Sequence, residues 1–473
     1  MISKLRACVV LSWLDRLVQA VARVAVSTPD IRRNTQQKQV VWTRQLLPVM
    51  ALLPALFSTG AQAQPLTGDE NWDDQFLVDG FDGELEAVTV ADNGDVYVGG
   101  DFTTAGGGVA ASNVAKWDSA TQQWQALGLG VNARVKVLTM DSSGNVYAGG
   151  FFTTAGGQTA RRIARWDNAT QQWQALGKGV NEVVRALVTD SNDNVYVGGD
   201  FIMAGSEFAN YVARWDCALQ QWQALGQGVD LGVHALALDS NENLYAGGWF
   251  LQAGSVNANH IAKWDSVNNQ WQSFGSGVDH LVDALTIDSN DNLYAGGWFT
   301  RAGNSANSNH VAKWDSAMQQ WQAMDSGIDS SVLALAADST GNVYAGGYFW
   351  AAGDEPASNV AKWDSHKEQW QALGSGVNAG VNELALDSNG YVYVSGRFNV
   401  AGGRYTGRIA RWTTVAGQQT GDNGIGDGQA TDNVLNLDGS NGESSDAGAI
   451  GWLVLCLTGI VAVGRANRTG GRN

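Results

Sequence analysis

Three groups of residues in this 473-residue chain have types and spacings that could do chemistry. Glu86, Asp283 and Glu383 lie at or next to the same place in recurring hydrophobic segments. Two such carboxyls could act as acid and base on a glycosidic bond, if held roughly 5–9 Å apart. The five histidines are His234, His260, His280, His310 and His366, and His260 and His310 fall at matching places 50 residues apart. A metal would need ligand geometry that spacing alone does not supply. Asp190-Ser-Asn192-Asp-Asn194 has copies starting at Asp239 and Asp288, with the alternating oxygen side chains of a calcium loop. Such a loop also wants Gly at its sixth position and Glu at its twelfth. Here the sixth residue is Val or Leu and opens a hydrophobic run, so a tight turn is the expectation and calcium is not favoured. No HExxH, CxxC or phosphate-cradling motif is present, and no catalytic residue, metal or cofactor is assigned. Of Cys8, Cys217 and Cys456, only Cys217 lies outside the terminal segments, so no internal disulfide is expected.

The formal net charge is −17, and between Gln64 and Asp446 it reaches −26, from 44 acidic and 18 basic residues. Such a field repels phosphate backbones and anionic lipid, which excludes nucleic acid as the expected partner. Glycine at 59 against five prolines, with twenty tryptophans, fits short strands and tight turns around an aromatic core.

The elements that would position these residues come from a repeat. Trp117, Trp166, Trp215, Trp264, Trp314, Trp363 and Trp412 follow one another at steps of 49 or 50. A Tyr-x-Gly-Gly-x-Phe anchor begins at Tyr97, Tyr147, Tyr196, Tyr245, Tyr294 and Tyr344; the copy at Tyr393 has Ser395 for the first glycine. Each unit reads as four strands: a (Val184 to Leu187), b (VYVGGDF, Val195 to Phe201), c (YVARW) and d (WQALG). The pattern predicts an all-β, seven-bladed β-propeller over residues 70–415. The WQALG segment occurs only six times, so NWDDQFLVDGF, with Trp72, Phe76 and Leu77, is expected to supply the last outer strand and close the ring.

The unit resembles the kelch repeat: the usual Tyr-Asp is replaced by Trp166-Asp167, and Trp173 stands at the place of the second Trp. Its DSNDNVYVGG segment is similar to bacterial propeller repeats of the SBBP type. The resemblance implies the propeller fold; propellers host unrelated functions, so it implies no activity. Kelch propellers include galactose oxidase, with its Tyr–Cys crosslink and copper; no tyrosine and histidine set accompanies Cys217, and that reading is rejected.

The termini read as addresses. Residues 1–63 resemble a secretory signal with a long basic region, cleaved between Ala63 and Gln64. An acidic linker (416–447) leads to a hydrophobic tail with a basic end (448–473). The tail resembles the GlyGly-CTERM sorting signal of Gram-negative bacteria, which a rhombosortase-like protease trims; Ser445-Asp446-Ala447-Gly448 stands where a glycine pair is usual, and a plain membrane anchor is the alternative. An exported, monomeric domain on the cell surface or outside it follows.

Positions that differ between repeats are where specificity would reside. In strand a they are Glu86, Lys136, Arg185, His234, Asp283, Leu333 and Asn382, expected near the mouth of the central channel. Trp249, Trp298 and Tyr348 follow the Gly-Gly pair in successive units, with Trp350 close by. These aromatics either bind sugar or peptide or fill the space between blades. The reading is a non-catalytic binding module for a glycan or protein; the alternatives are a carbohydrate-active enzyme using Glu86, Asp283 and Glu383, or an envelope scaffold.

Overall fold

The computed structural model describes residues 68–76, 80–306 and 308–413. The chain divides after Gly417, and all described residues lie before that point. The signal-like start, its Ala63/Gln64 cleavage site, Leu77, the linker and the tail lie outside the described residues. Among the described residues no helix is long and apolar enough to cross a membrane.

Six four-stranded antiparallel sheets and one three-stranded sheet follow in chain order, each strand pairing with the next. In blade 3 the strands are a (Val184–Thr189), b (Val195–Gly199), c (Val212–Asp216) and d (Gln221–Ala224). Strand a packs against strand a of the next blade all the way round, blade 7 against blade 1, which makes a closed seven-bladed propeller with the a strands around the channel. Strand b lies between two blades, so its residues are buried on both faces. That burial explains the glycine pair. A Cβ on Gly198 would come within 2.5 Å of Val233 Cγ1 in the next blade. A Cβ on Gly199 would come within 2.1 Å of the carbonyl oxygen of Val183, the residue just before its own strand a. Close approach of backbones, first between blades and then within one, leaves no room for a side chain.

The repeated tryptophans are architecture. Trp166 and Trp173 pack at a tilt with centroids 5.5 Å apart, and Trp173 Nε1 donates to the Leu127 carbonyl of the preceding blade at 2.9 Å. Asp167 Oδ1 accepts from Ala169 N and Thr170 N and so closes the c–d turn. Ring closure uses the same parts with a shorter segment than expected. The described chain begins at a 3₁₀ turn (Asp69–Asn71), and among the described residues of this segment only Trp72 bridges to blade 7, at Trp412. Among its described residues the Asn71 to Phe81 segment forms no longer outer strand; Phe76 and Phe81 pack on Trp117 and Trp124 of blade 1.

The Asp-x-Asn-x-Asn segments are turns. Asp239 Oδ1 accepts from Asn241 N and Asn243 N, while Oδ2 accepts from the Tyr245 hydroxyl and the Lys263 ammonium at 3.0 and 3.1 Å. Its oxygens are committed to the protein. Asp239→Ala should therefore cost about 1–3 kcal/mol by stranding buried donors. The same denaturant titration with millimolar calcium should leave wild-type stability unchanged.

Candidate functional site

The ends of strands b, the starts of strands a, and the b–c and d–a loops share one face of the disc, because the chain direction alternates from strand to strand. Two features of the backbone shape the channel mouth there. Strand a carries a bulge in every blade, between Leu85 and Ala87 in blade 1 and between Val381 and Glu383 in blade 7. The extra residues are Glu86, Lys136, Arg185, His234, Asp283, Leu333 and Asn382, the seven positions that vary in sequence. A bulge leaves one residue unpaired and re-aims its side chain, which frees that position from the repeat. Second, each b–c loop contains a two-stranded hairpin, such as Gln252–Ala253 with Val256–Asn257. The d–a loop clamps it: Asp230 Oδ1 accepts from Leu251 N and Gln252 N, and Asp329 Oδ1 from Trp350 N. At the first such clamp the Thr103 hydroxyl and the Thr103 and Thr104 amides hold Asp82 down at about 2.

The mouth has two unlike arcs. Across blades 7, 1, 2 and 3 it is ionic and internally paired. Lys136 Nζ lies 2.6 Å from Glu86, Arg134 3.3 Å from Glu86 and 3.2 Å from Asp101, Arg185 2.7 Å from Asp200, and Arg397 3.1 Å from Glu84. Across blades 4 to 6 it is aromatic. Trp249, Trp298, Tyr348 and Trp350 are 42, 52, 38 and 69 % exposed, so each presents ring surface to solvent, while Tyr348 also lies against Gly380 of blade 7. Trp249 meets His280 edge to face at 5.1 Å and His260 at 6.4 Å. The His260 Nδ1 contacts the Gly248 carbonyl at 3.1 Å, and His310 contacts Gly297 in the same way, so the two act as loop braces. Burial holds the His260 imidazole below its ordinary range.

The sequence-derived carboxylates are placed differently from one another. Asp283 bonds His234 Nδ1 at 2.9 Å, and Glu86 is engaged by Lys136 and Arg134. Glu383 makes no ion pair of the kind that holds the other two, among the described residues, and burial pushes its carboxyl up to about 7. Asn382 Nδ2 donates to the Leu85 carbonyl of blade 1 at 2.8 Å. Sequence reasoning missed Arg134, Asp200 and Arg397 as mouth residues; Asp200 and Arg397 hold the place after the glycine pair that Trp249 and Trp298 hold elsewhere, and that equivalence was the available signal. Cys217 lies on the opposite face, in a pocket of about 150 Å³ between blades 2 and 3, 3.6 Å from the Tyr147 hydroxyl. No histidine lines that pocket. Among the described residues no cluster of three or more His, Cys, Asp or Glu could hold a metal.

Comparison with known proteins gives a matching picture of the fold. Residues 74–187 and 227–341 match the family described as the Rax2 C-terminal beta propeller domain. No curated protein matches the chain. Two solved structures of the extracellular domain of BT4673 from B. thetaiotaomicron, described in one as a one-component and in the other as a hybrid two-component system, are similar at a TM-score of 0.49 and 11 % identity. Each alignment covers 72 % of this chain and 39 % of the other, so this chain spans well under half of those structures. Sheet topology and family match agree that the chain carries a seven-bladed β-propeller.

Proposed function

We propose that this chain is an exported, non-catalytic binding module that takes a neutral glycan across the channel mouth. The observation that carries the reading is the exposed aromatic arc of Trp249, Trp298, Tyr348 and Trp350 on loops fixed by Asp230, Asp279 and Asp329. Eleven of the fourteen exposed large apolar side chains among the described residues lie on this face. An aromatic ring presents a negative face, which suits the weakly positive C–H face of a sugar ring. The basic side chains of the opposite arc are already neutralised by Glu84, Glu86, Asp101 and Asp200, so an anionic ligand gains little there. Export, kelch-like blades and trimming or anchoring of the tail belong to the same proposal and rest on the sequence.

A glycan-array screen of the chain, followed by titration of each hit, tests this. Trp298→Ala should weaken binding by about tenfold or more, as a central aromatic anchor does, and leave the melting temperature within a few degrees. A chain that binds no glycan, or a Trp298→Ala variant that binds as well as wild type, defeats the reading. Glu383 supports a second, enzymatic reading, since a carboxyl at about 7 suits a general acid. Its two sequence-level companions are tied to Lys136 and His234, and hydrolysis of a bound hit would favour that reading instead.

A further inference from the structure

Asp283 differs from the carboxylates of the ionic arc in how little of it the protein uses. Glu86 is held by Lys136 and Arg134, Asp200 takes three bonds from Arg185, and Glu84 and Asp101 are paired with Arg397 and Arg134. Asp283, the bulge residue of blade 5, has one partner: His234 Nδ1, of the bulge in blade 4, lies 2.9 Å from its Oδ1. Neither side chain makes another hydrogen bond or ion pair among the described residues. The two are only 16 and 14 % exposed, yet the unpartnered Oδ2 of Asp283 reaches solvent. An ionised carboxylate has about four acceptor sites, so this sheltered one can take two further donors. The imidazole nitrogen beside it carries a proton whether the ring is neutral or charged, so His234 donates and fixes which oxygen stays open.

The aromatic arc stands next to this pair. Trp298 follows Gly297, the partner of Val282, and its amide donates to the Leu281 carbonyl at 3.0 Å, two residues before Asp283. Trp249 stands in the same relation to His234, with its amide on the Gly232 carbonyl at 3.0 Å, and its ring meets His280, three residues before Asp283. Because the a strands surround the channel, the His234–Asp283 pair lies on the channel side of both tryptophans. We propose that Asp283, oriented by His234, is the polar anchor of the glycan site and takes two adjacent hydroxyls of one sugar ring. This rests on the glycan reading and narrows it to glycans that end in a ring with a free vicinal diol. Hydroxyls are the donors that a neutral sugar offers, and a carboxylate can accept two side by side, as it does from an arginine fork. The tryptophan faces hold the C–H side of a ring with little choice among sugars. The carboxylate does choose, since a ring lacking one hydroxyl leaves a sheltered, desolvated oxygen without its bond.

The test titrates the full chain with methyl α-D-mannopyranoside, methyl β-D-glucopyranoside and methyl β-D-galactopyranoside, each beside its 3-deoxy form, by ligand-observed NMR. The 3-hydroxyl belongs to both ring diols, so its removal leaves no vicinal pair. At least one parent should bind wild type about tenfold or more tightly than its 3-deoxy form, as loss of a hydrogen bond to a charged group implies. Asp283→Leu should bring that parent down to the deoxy level and leave the deoxy sugar unchanged; blade 6 already carries Leu333 at this place. His234→Leu should do the same, and His234→Gln, which keeps a donor, should restore binding. Trp298→Ala should weaken parent and deoxy forms alike. Should the leucine variants not fold, Asp283→Asn, the residue of Asn382 in blade 7, exchanges an acceptor for a donor and should also abolish the preference. A deoxy sugar that binds like its parent, or an Asp283→Leu chain that still separates the two, overturns the anchor while the glycan reading stands on Trp298. Array glycans that bind when none of the three glycosides does overturn it as well. A His234→Gln chain no better than His234→Leu removes the positioning role. Tighter binding of methyl 2-amino-2-deoxy-β-D-glucopyranoside than of the glucoside would make Asp283 an ammonium site and refute the diol. A chain that binds no glycan at all defeats the glycan reading itself, and the anchor with it.

Discussion

Replacing Trp72 with alanine should lower the unfolding free energy by about 3–5 kcal/mol, as truncation of a buried tryptophan generally does. Trp72 is almost wholly buried, meets Trp412 edge to face at 5.1 Å, and donates from Nε1 to the Leu373 carbonyl at 3.0 Å. Trp173, Trp222, Trp271, Trp321 and Trp370 make the same indole bond to the preceding blade. Trp72 is thus the sixth member of that set, delivered from the other end of the domain. Backbone bonds from Asp73 N to Arg411 O and from Thr413 N to Asn71 O, with an Asp73–Arg411 ion pair, flank it. The informative comparison is Trp173→Ala, which removes an equivalent ring from a blade whose strand d is held by its neighbours in the chain. Both should be destabilised. Only Trp72→Ala should also release residues 68–76 to limited proteolysis and raise hydrogen exchange along Ile409–Trp412. Equal proteolysis in the two variants would mean that closure does not hang on this bridge. A chain lacking residues 70–81 should melt lower still, since Phe76 and Phe81 go with it.

The repeat was legible because a propeller writes its fold seven times. The tryptophan period placed the blades, and the absent seventh WQALG pointed to the N-terminal segment as its substitute. The length of that substitute was not legible. Among its described residues only Trp72 bridges as strand d does; Asn71 is drawn into a 3₁₀ turn, and Phe76 and Phe81 reach the next blade. The seven variable residues of strand a were found as variable, but the reason was hidden. In Val184-Arg185-Ala186-Leu187 the buried residues do not alternate strictly, since Val184, Ala186 and Leu187 are all buried, and that break in period marks the bulge. The b–c hairpins were missed as strands because each ladder is two residues long. Sequence alone left the aromatic arc undecided between packing and exposure. The position after Gly-Gly is where strand b leaves the sheet, so its side chain presents surface to solvent.

The glycine pair itself makes the last prediction. Gly198→Ser should destabilise the chain by about 2–5 kcal/mol, combining overpacking with a buried hydroxyl that has no partner. Its Cβ would lie 2.5 Å from Val233 Cγ1, and the same approach, 2.4–2.6 Å, recurs at Gly99, Gly149, Gly247, Gly296 and Gly346. The contact is with the core of a β-branched residue rather than the end of a flexible chain, so it cannot swing aside cheaply. Nature's own Ser395 shows the condition for relief: there the facing residue is Leu85, which carries no branch at Cβ. Val233→Leu alone should cost about 1 kcal/mol as a shape change in a full core. Combined with Gly198→Ser, it should recover part of the loss, a favourable coupling of roughly 1 kcal/mol or more in a double-mutant cycle. Strict additivity would show that the valine methyl is not what excludes a side chain from this position. A positive coupling would show that Leu85 is what admits Ser395, and that the closing seam was opened for polar groups by one change of branching.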